Sequence, residues 1–337
     1  MNIKSAWLTT NRSCNCRCKW CYAQKTLGPK DTMDMDMARV AVEELKKRSI
    51  KKVVLIGGEP TIYKHFLELV KIIHDNGMSC TIATNGIAFK NMDFARATVE
   101  AGADNINISL KATTEDGYMK CTGVYALENV MKGYHNLRQI GFKPVFSYVI
   151  VDDNKKEFDN LIKLLEANDV DQIGFQFVKP VIELEKTDSI MDIKLMAHFT
   201  EYIYERMSQT NIKYGIEISF PLCLIKKEIL DSLISERKIN TCCHVQKGSG
   251  IVFDTDFKVL PCNHFAEYPF NDNPIDFSRK YCIEEFWCSN EVTEFRTKAR
   301  CYPSEVCENC TLWNICGGGC FTRWLFISPT DYINNNF

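Results

Sequence analysis

The sequence predicts an α/β fold with a small cysteine-rich domain after it, and two observations carry that expectation. From residue 5 to about 220, short β-rich runs alternate with amphipathic helical stretches. The cysteines gather in two places, residues 14–21 and 223–320. Strand–helix alternation implies right-handed crossover units and a parallel sheet covered by helices. Cysteine crowding without helical periodicity implies a segment that metal holds together.

The strands expected in order are SAWLTT, KVVLIG, SCTIAT, NINISL, PVFSYVIV and QIGFQFV. Between them lie MARVAVEELKKRS, FLELVKIIHDNG, FARATVEAGA, ALENVMKGYHNLRQIG and FDNLIKLLEAND, whose apolar residues recur three and four apart. Several of these stretches run out in Gly or Asn, as helix C-termini do. Six repeats make either an open doubly wound sheet or an incomplete barrel, and in both, ligands gather at the C-terminal ends of the strands. A longer helix, IMDIKLMAHFTEYIYERMSQ, closes this half. Beyond it the periodicity fades, so the expected domains are 1–219 and 220–337.

Bulk composition narrows the partners. The 337 residues suit two domains or one large α/β domain. Forty-one basic residues against 43 acidic ones leave a net charge of -2, with no excess to neutralise a nucleic-acid backbone. Runs such as VVLI and VFSYVIV are too short to span a membrane, and MNIKSAWLTTNRS lacks the apolar core of a signal peptide. The expectation is a cytoplasmic chain with neither membrane nor nucleic acid as partner. Its 17 cysteines are then ligands or buried thiols and not disulfides.

Cys14, Cys18 and Cys21 form C-x3-C-x2-C directly after the first strand. Three thiolates on one short loop can hold three irons of a four-iron cluster and leave the fourth iron open. An open iron serves a cofactor that binds the cluster directly. Cys16 fits no such spacing and reads as a spare thiol facing away. A zinc knuckle is the rival for the stretch, but no fourth ligand is nearby. After the second strand, KVVLIGGEP places Gly57, Gly58, Glu59 and Pro60. Paired glycines there let a ligand approach the backbone, and a glutamate accepts hydrogen bonds from an ammonium group; the alternative is a tight turn with a solvated Glu59.

The two motifs together resemble the radical S-adenosylmethionine (SAM) enzymes. That resemblance implies a partial (β/α)6 TIM-like barrel in which Cys14, Cys18 and Cys21 hold a [4Fe–4S] cluster. The amino and carboxylate groups of S-adenosyl-L-methionine would chelate the fourth iron. Trp20 would lie against the cluster and adenine, and the turn of Gly57, Gly58 and Glu59 would take the SAM amino group. Weaker correspondences are Thr84 and Asn85 in TIATNG and Ser109 in NISL, for the ribose or carboxylate. Lys120 in YMKCTG would stand near that carboxylate, and Gln176 in the sixth strand would point to the same rim. Each is also a routine polar residue for its position. Lys111 in ISLKA replaces a commoner Asp, which puts the substrate-side contact in doubt.

The C-terminal pattern Cys307-x2-Cys310-x5-Cys316-x3-Cys320, with Cys243 and Cys262 upstream, resembles the SPASM extension of the same family. The resemblance implies auxiliary [4Fe–4S] clusters: Cys243, Cys262 and Cys320 for one, Cys307, Cys310 and Cys316 for a second. Phe257 stands where the pattern has Gly, and no cysteine follows Cys320 to complete the second cluster. Cys282, Cys288, Cys301, Asp331 or a substrate atom are the candidates to replace it; Cys242 or Cys223 would complete the first. One auxiliary cluster instead of two, or a structural zinc site, are the alternatives.

The implied activity is reductive cleavage of SAM to a 5'-deoxyadenosyl radical, then hydrogen abstraction from a peptide substrate in maturation of a ribosomal natural product by crosslinking or oxidation. Within enzymes, the alternatives are a small molecule such as an amino sugar or alcohol, or a sulfatase-type protein. Outside them stand a plain iron–sulfur electron carrier and a zinc-stabilised binding module. An external one-electron reductant of flavodoxin or ferredoxin type is expected. Because the barrel begins near residue 5, leader-peptide recognition falls to the enzyme's own surface or to a separate partner. Tyr118, Arg323 and Trp324 are further candidates to face the active site.

Overall fold

The structure is a computed structural model that describes residues 3–28, 31–152, 155–180, 191–241, 243–266, 268–300 and 305–325. Cys242, Cys301 and Asp331 lie outside them. In chain order the first elements are β1 (Ser5–Thr9), α1 (Met35–Lys47), β2 (Lys52–Ile56), α2 (Phe66–Asp75), β3 (Ser79–Thr84), α3 (Met92–Glu100) and β4 (Ala103–Leu110). There follow α4 (Glu115–Thr122), α5 (Leu127–Gln139), β5 (Val145–Ile150), α6 (Phe158–Ala167), β6 (Gln172–Phe177), α7 (Ile193–Met207) and β7 (Lys213–Glu217). The remainder are α8 (Lys227–Ser235), β8 (Ile239–Asn240), α9 (His244–Lys247), β9 (Gly250–Phe253), β10 (Val259–Leu260), α10 (Cys282–Trp287), α11 (Asn290–Ala299) and α12 (Trp313–Cys316). By compactness the chain divides into Met1–Val145 with Lys247–Arg296, and Phe146–Gln246 with Thr297–Phe337. The expected boundary at 219/220 falls within the second of these units.

In the first unit the strands run in the order β10-β9-β1-β2-β3-β4, parallel except for β10 against β9. The register aligns Leu8 with Leu55, Leu55 with Ile82 and Ile82 with Ile106. All four are buried, so one aliphatic row crosses the sheet. A parallel sheet of this kind is covered by helices; α2 contributes Phe66, Leu69, Val70 and Ile73 to the interior. Helix starts are fixed locally: Asp34 accepts from the Met37 amide, Asn91 from Asp93 and Phe94, and Thr114 from Gly117. The α4 helix was not expected, because its eight residues contain Gly117 and carry little apolar periodicity.

The fading pattern after residue 220 also concealed strands. GIVF is buried at every position as β9 and pairs in parallel with β1. A strand buried on both faces shows no alternation to read.

The second unit carries β5-β6-β7-β8, all parallel. Phe146 aligns with Ile173 and Ile173 with Tyr214. The helix α6 buries Phe158, Leu161 and Leu165, and the Phe158 ring meets Phe175 at 5.4 Å. The helix α7 starts at an Asp192 cap and buries Met196, Ile203 and Met207. Among the described residues no helix is long and apolar enough to cross a membrane.

Candidate metal centre

The loop after β1 is built onto the end of β2. The Thr10 amide donates to Ile56 O at 2.8 Å, and the amides of Gly58 and Glu59 donate to Asn11 O and Ser13 O, each at 2.8 Å. The Asn11 side chain donates back to Glu59 O at 2.9 Å. A Cβ on Gly57 would stand 2.6 Å from Asn11 O, and one on Gly58 would stand 2.1 Å from Ser13 O. The glycines therefore answer a close approach of the cysteine loop itself, where the sequence suggested approach by a ligand. The opposite side of the loop is fixed by α4, whose Thr122 and Cys121 carbonyls accept from the Arg17 and Lys19 amides at 2.7 and 3.0 Å.

This bracing sets the chemistry of the thiols. Cys16 is buried, its amide donates to Cys14 Sγ at 3.4 Å, and its thiol donates to the same sulfur. That thiol contact is the largest influence on Cys14 and brings it down to about 7, while Cys16 itself is driven far upward. Cys16 is thus turned toward Cys14, not away, which corrects the expectation of a spare thiol. Burial raises Cys18 and pushes Cys21 up to about 11. In both cases the Lys111 ammonium works against the rise, so this cation stands near the thiols. Sequence reasoning treated Lys111 as a substrate-side departure; a lysine just after the fourth strand, opposite an anionic cluster loop, was the signal to read. Among the described residues no three His, Cys, Asp or Glu side chains converge as ligands of a single ion would. Thiolates on a four-iron cluster each sit on a separate iron.

Glu59 joins the motifs. It is buried, and its Oε1 accepts from the Thr61 amide at 3.1 Å and from the Thr61 and Thr84 hydroxyls at 2.6 Å. Its Oε2 accepts from the Asn85 amide at 2.7 Å. Burial raises its pKa against these hydrogen bonds. A carboxylate has about four acceptor sites, two per oxygen, so Oε2 retains capacity for another donor. The solvated-Glu alternative does not hold. The Asn85 side chain reaches Asn15 Oδ1 at 2.6 Å and Cys16 Sγ at 3.7 Å. Cysteine loop, GGEP turn and TNG turn are therefore one hydrogen-bonded structure.

Trp20 is buried with its indole N–H unpartnered among the described residues, as is Asn11 Oδ1. A buried donor and a buried acceptor at one loop suit a polar ligand there. Ser109 is half-buried on β4, on the side opposite buried Ile108 and Leu110. Lys120 is exposed in the last turn of α4. Gln176 belongs to the second unit, where its amide donates to Ser147 Oγ at 3.3 Å. Tyr118 is buried, and its hydroxyl accepts from the Lys111 amide at 3.1 Å.

The C-terminal cysteines fall in both units. In the first, Cys262 accepts from the His264 amide at 3.3 Å and lies 3.4 Å from its Nδ1. The His264 ring meets Tyr22 at 5.5 Å, and the Tyr22 hydroxyl feels both Cys21 and Cys262. Phe257 takes φ 62, the left-handed conformation that glycine adopts without strain, and stays there with its ring packed on Phe253 and Phe277. Phe257 thus holds a backbone conformation that glycine would also adopt. Cys282 is buried within reach of Arg48, and Cys288 is exposed.

In the second unit Cys243 and Cys320 are neighbours. Burial lifts Cys243 to about 11, and the Cys320 charge adds to the rise. Around them stand the Lys179–Glu217 ion pair and His244, which burial holds down to about 4. Arg323 is fully buried, donating to Ser219 O, Ser219 Oγ and Val178 O, and Trp324 donates to Gly318 O. Both fasten the chain through these contacts. Cys307, Cys310 and Cys316 also come together: Cys316 is raised first by burial and then by the charges of the other two.

A family model described as the Radical SAM superfamily matches residues 8–165. A protein named "Probable GTP 3',8-cyclase" from Saccharolobus solfataricus is 30% identical over 176 residues, 52% of this chain and 56% of that protein. The chain thus spans about half the length of the curated relatives it matches. Streptococcus suis SuiB bound to S-adenosylmethionine superposes with TM-score 0.73 at 18% identity, over 97% of this chain and 75% of SuiB. The enzyme anSMEcpe with bound AdoMet gives TM-score 0.72 at 15% identity, over 98% and 97% of the two chains. At such identities the two superpositions establish a shared fold.

Proposed function

We propose that the chain, whose residues 8–165 match the Radical SAM superfamily model, is a radical SAM enzyme that abstracts a hydrogen atom from a peptide, using SAM held at the loop of Cys14, Cys18 and Cys21. The observation that carries the reading is the single hydrogen-bonded body formed by that loop, Glu59, Thr84 and Asn85. When bound, the [4Fe–4S] cluster and SAM supply one-electron cleavage to a 5'-deoxyadenosyl radical, and an external reductant supplies the electron.

The chain's own residues prepare that chemistry. Cys14, Cys18 and Cys21 are the ligands, and Cys14 is the readiest to lose its proton. Lys111 offsets the negative charge the thiolates bring together. Glu59 has the acceptor capacity to take the SAM ammonium, and Trp20 brings an unpartnered N–H. Burial of Glu59 and Trp20 helps to exclude water, which a carbon radical requires.

Two solved neighbours support a peptide substrate: SuiB bound to precursor peptide SuiA, and anSMEcpe with bound AdoMet and a Kp18Cys peptide. Their likeness extends over 97% and 98% of this chain. A small-molecule substrate is the second reading, favoured by the 30% identity to the probable cyclase of Saccharolobus solfataricus, which is limited to about half of the chain. Within the peptide reading, 1–219 is the radical SAM barrel and 220–337 a SPASM-like region with auxiliary clusters. Cys307, Cys310 and Cys316 serve one cluster, and the sequence-based set of Cys243, Cys262 and Cys320 serves the other.

The test is anaerobic reconstitution, then assay of 5'-deoxyadenosine from SAM and dithionite with candidate peptides or with free nucleotides and sugars. Peptide-dependent stimulation with deuterium transfer into 5'-deoxyadenosine is expected. Stimulation by small molecules alone would overturn the peptide reading, and absence of SAM cleavage would overturn the whole.

A further inference from the structure

The three thiols Cys307, Cys310 and Cys316 leave one iron of a four-iron cluster to be held by another ligand, and the fold brings a further thiol to them. Cys223 sits in a short 3-10 turn, Leu222–Leu224, more than eighty residues upstream. That turn is tied to the cysteine segment at several points. The Leu222 amide donates to Cys316 Sγ at 3.3 Å. The Cys320 amide donates to Ser219 O at 3.0 Å. The buried Arg323 guanidinium grips Ser219 through its carbonyl and its hydroxyl, each at 3.0 Å. Gly319, at φ 82, lies so close that a Cβ would stand 2.7 Å from Phe220 Cα. These contacts fix residues 219–222 on residues 316–323, and the next side chain along is Cys223.

Its thiol interacts electrostatically with all three of Cys316, Cys307 and Cys310. Cys223 is a free, exposed cysteine. Three thiols on a C-x2-C-x5-C segment and a fourth from the turn docked on Cys316 match in number and kind the donors of a [4Fe–4S] cluster. The donor set therefore fits the group.

We propose that Cys223 is the fourth ligand of the cluster held by Cys307, Cys310 and Cys316. On binding, its thiol loses a proton to solvent and its sulfur bonds the remaining iron. The cluster is then closed by four thiolates, with no iron open to substrate. It is suited to passing electrons, whereas the incomplete set read from the sequence alone left an iron for substrate to bind. This inference rests on the auxiliary-cluster reading of the C-terminal cysteines.

The experiment uses full-length protein carrying Cys14→Ala, Cys18→Ala and Cys21→Ala, reconstituted anaerobically, with iron and sulfide counted and reduced and oxidised EPR spectra recorded. Two auxiliary clusters give about eight irons. Adding Cys307→Ala and Cys310→Ala is expected to halve that number. Adding Cys223→Ala is expected either to remove the same four irons or to leave a cluster that gives a three-iron EPR signal on oxidation. Cys223→Ser, which keeps an oxygen ligand, is expected to retain iron with a shifted spectrum. Cys288→Ala, in the other unit, tests a rival candidate and is expected to change nothing; loss of the same four irons there would make Cys288 the ligand in place of Cys223. If the Cys307/Cys310 variant loses no iron, the auxiliary-cluster reading itself fails. If that variant loses four irons while both Cys223 variants keep the parent's iron, sulfide and spectra, the cluster is real and Cys223 is not its ligand.

Discussion

The two cysteine-rich regions of this chain are built in opposite ways. The N-terminal loop leaves β1 and is held by backbone hydrogen bonds to the end of β2 and the last turn of α4. Its thiols are positioned by a sheet that exists without them. The segment 305–325 has only one four-residue α-helix and short 3-10 turns of its own, and Cys316 within it is raised by burial and by the charges of Cys307 and Cys310. A site of the first kind is preorganised by the fold; one of the second kind depends on metal to neutralise its charge and fix its geometry.

Gly58→Ala should give the largest effect, because it attacks the preorganised side where it has no slack. The added Cβ would meet the Ser13 carbonyl at 2.1 Å, a backbone atom that cannot swing away. Displacing the loop by about 1 Å costs on the order of 100-fold in activity. SAM cleavage should fall at least that far while the C-terminal iron stays in place, as read by 5'-deoxyadenosine formation beside iron analysis. Equal loss of iron from both regions would show that the loop is not independently built.

Metal removal probes the other side of the comparison. Chelation should leave the amides of β1, β2 and β3 protected in hydrogen exchange, while residues 305–325 exchange and are cleaved by protease on the order of tenfold faster. Equal sensitivity in the two regions would remove the distinction.

Phe257→Gly tests a place where the C-terminal region does have order of its own. Glycine relieves about 1–2 kcal/mol of left-handed backbone strain. It also removes a ring that is 1% exposed, between Phe253 and Phe277, a loss of about 3–5 kcal/mol. The net expectation is destabilisation by roughly 1–4 kcal/mol in denaturant melts of the apoprotein. A stabilised variant would mean that the ring is dispensable and the strain dominates.

What could be read from the sequence follows the same division. Cys14, Cys18, Cys21 and the GGEP turn are local patterns, and all six expected barrel strands formed within a residue or two of their expected ends. The relations that escaped are long-range. Nothing local reveals that GIVF pairs with SAWL from across the chain, that the Lys111 charge acts on Cys18, or that the turn before Cys223 is docked on Cys316. Gly57 and Gly58 lie against the Asn11 and Ser13 backbone, a neighbour the sequence does not name, since a glycine's sequence says that something approaches but not what. Phe257 shows the converse: a residue departs from the expected glycine yet holds a left-handed conformation that glycine favours.

The smallest expected effect separates a ligand from its helper within the N-terminal loop. Cys16 donates to Cys14 and lowers it to about 7, against roughly 8.5 for an ordinary thiol. At pH 7 the apoprotein therefore holds about half of Cys14 as thiolate, and Cys16→Ala should reduce that to a few per cent. The more basic thiolate is also the better nucleophile, which recovers part of the loss, so alkylation of Cys14 at pH 7 should slow by only about three- to fourfold. The midpoint of the rate–pH curve should move upward by more than one unit, located by peptide mapping of the alkylated residue. Iron at the site should stay near four per chain, because metal draws the proton from Cys14 whether or not Cys16 assists. Loss of iron in this variant would make Cys16 a ligand and the loop a four-thiol site; an unmoved curve would mean that the contact between the two sulfurs has no chemical consequence.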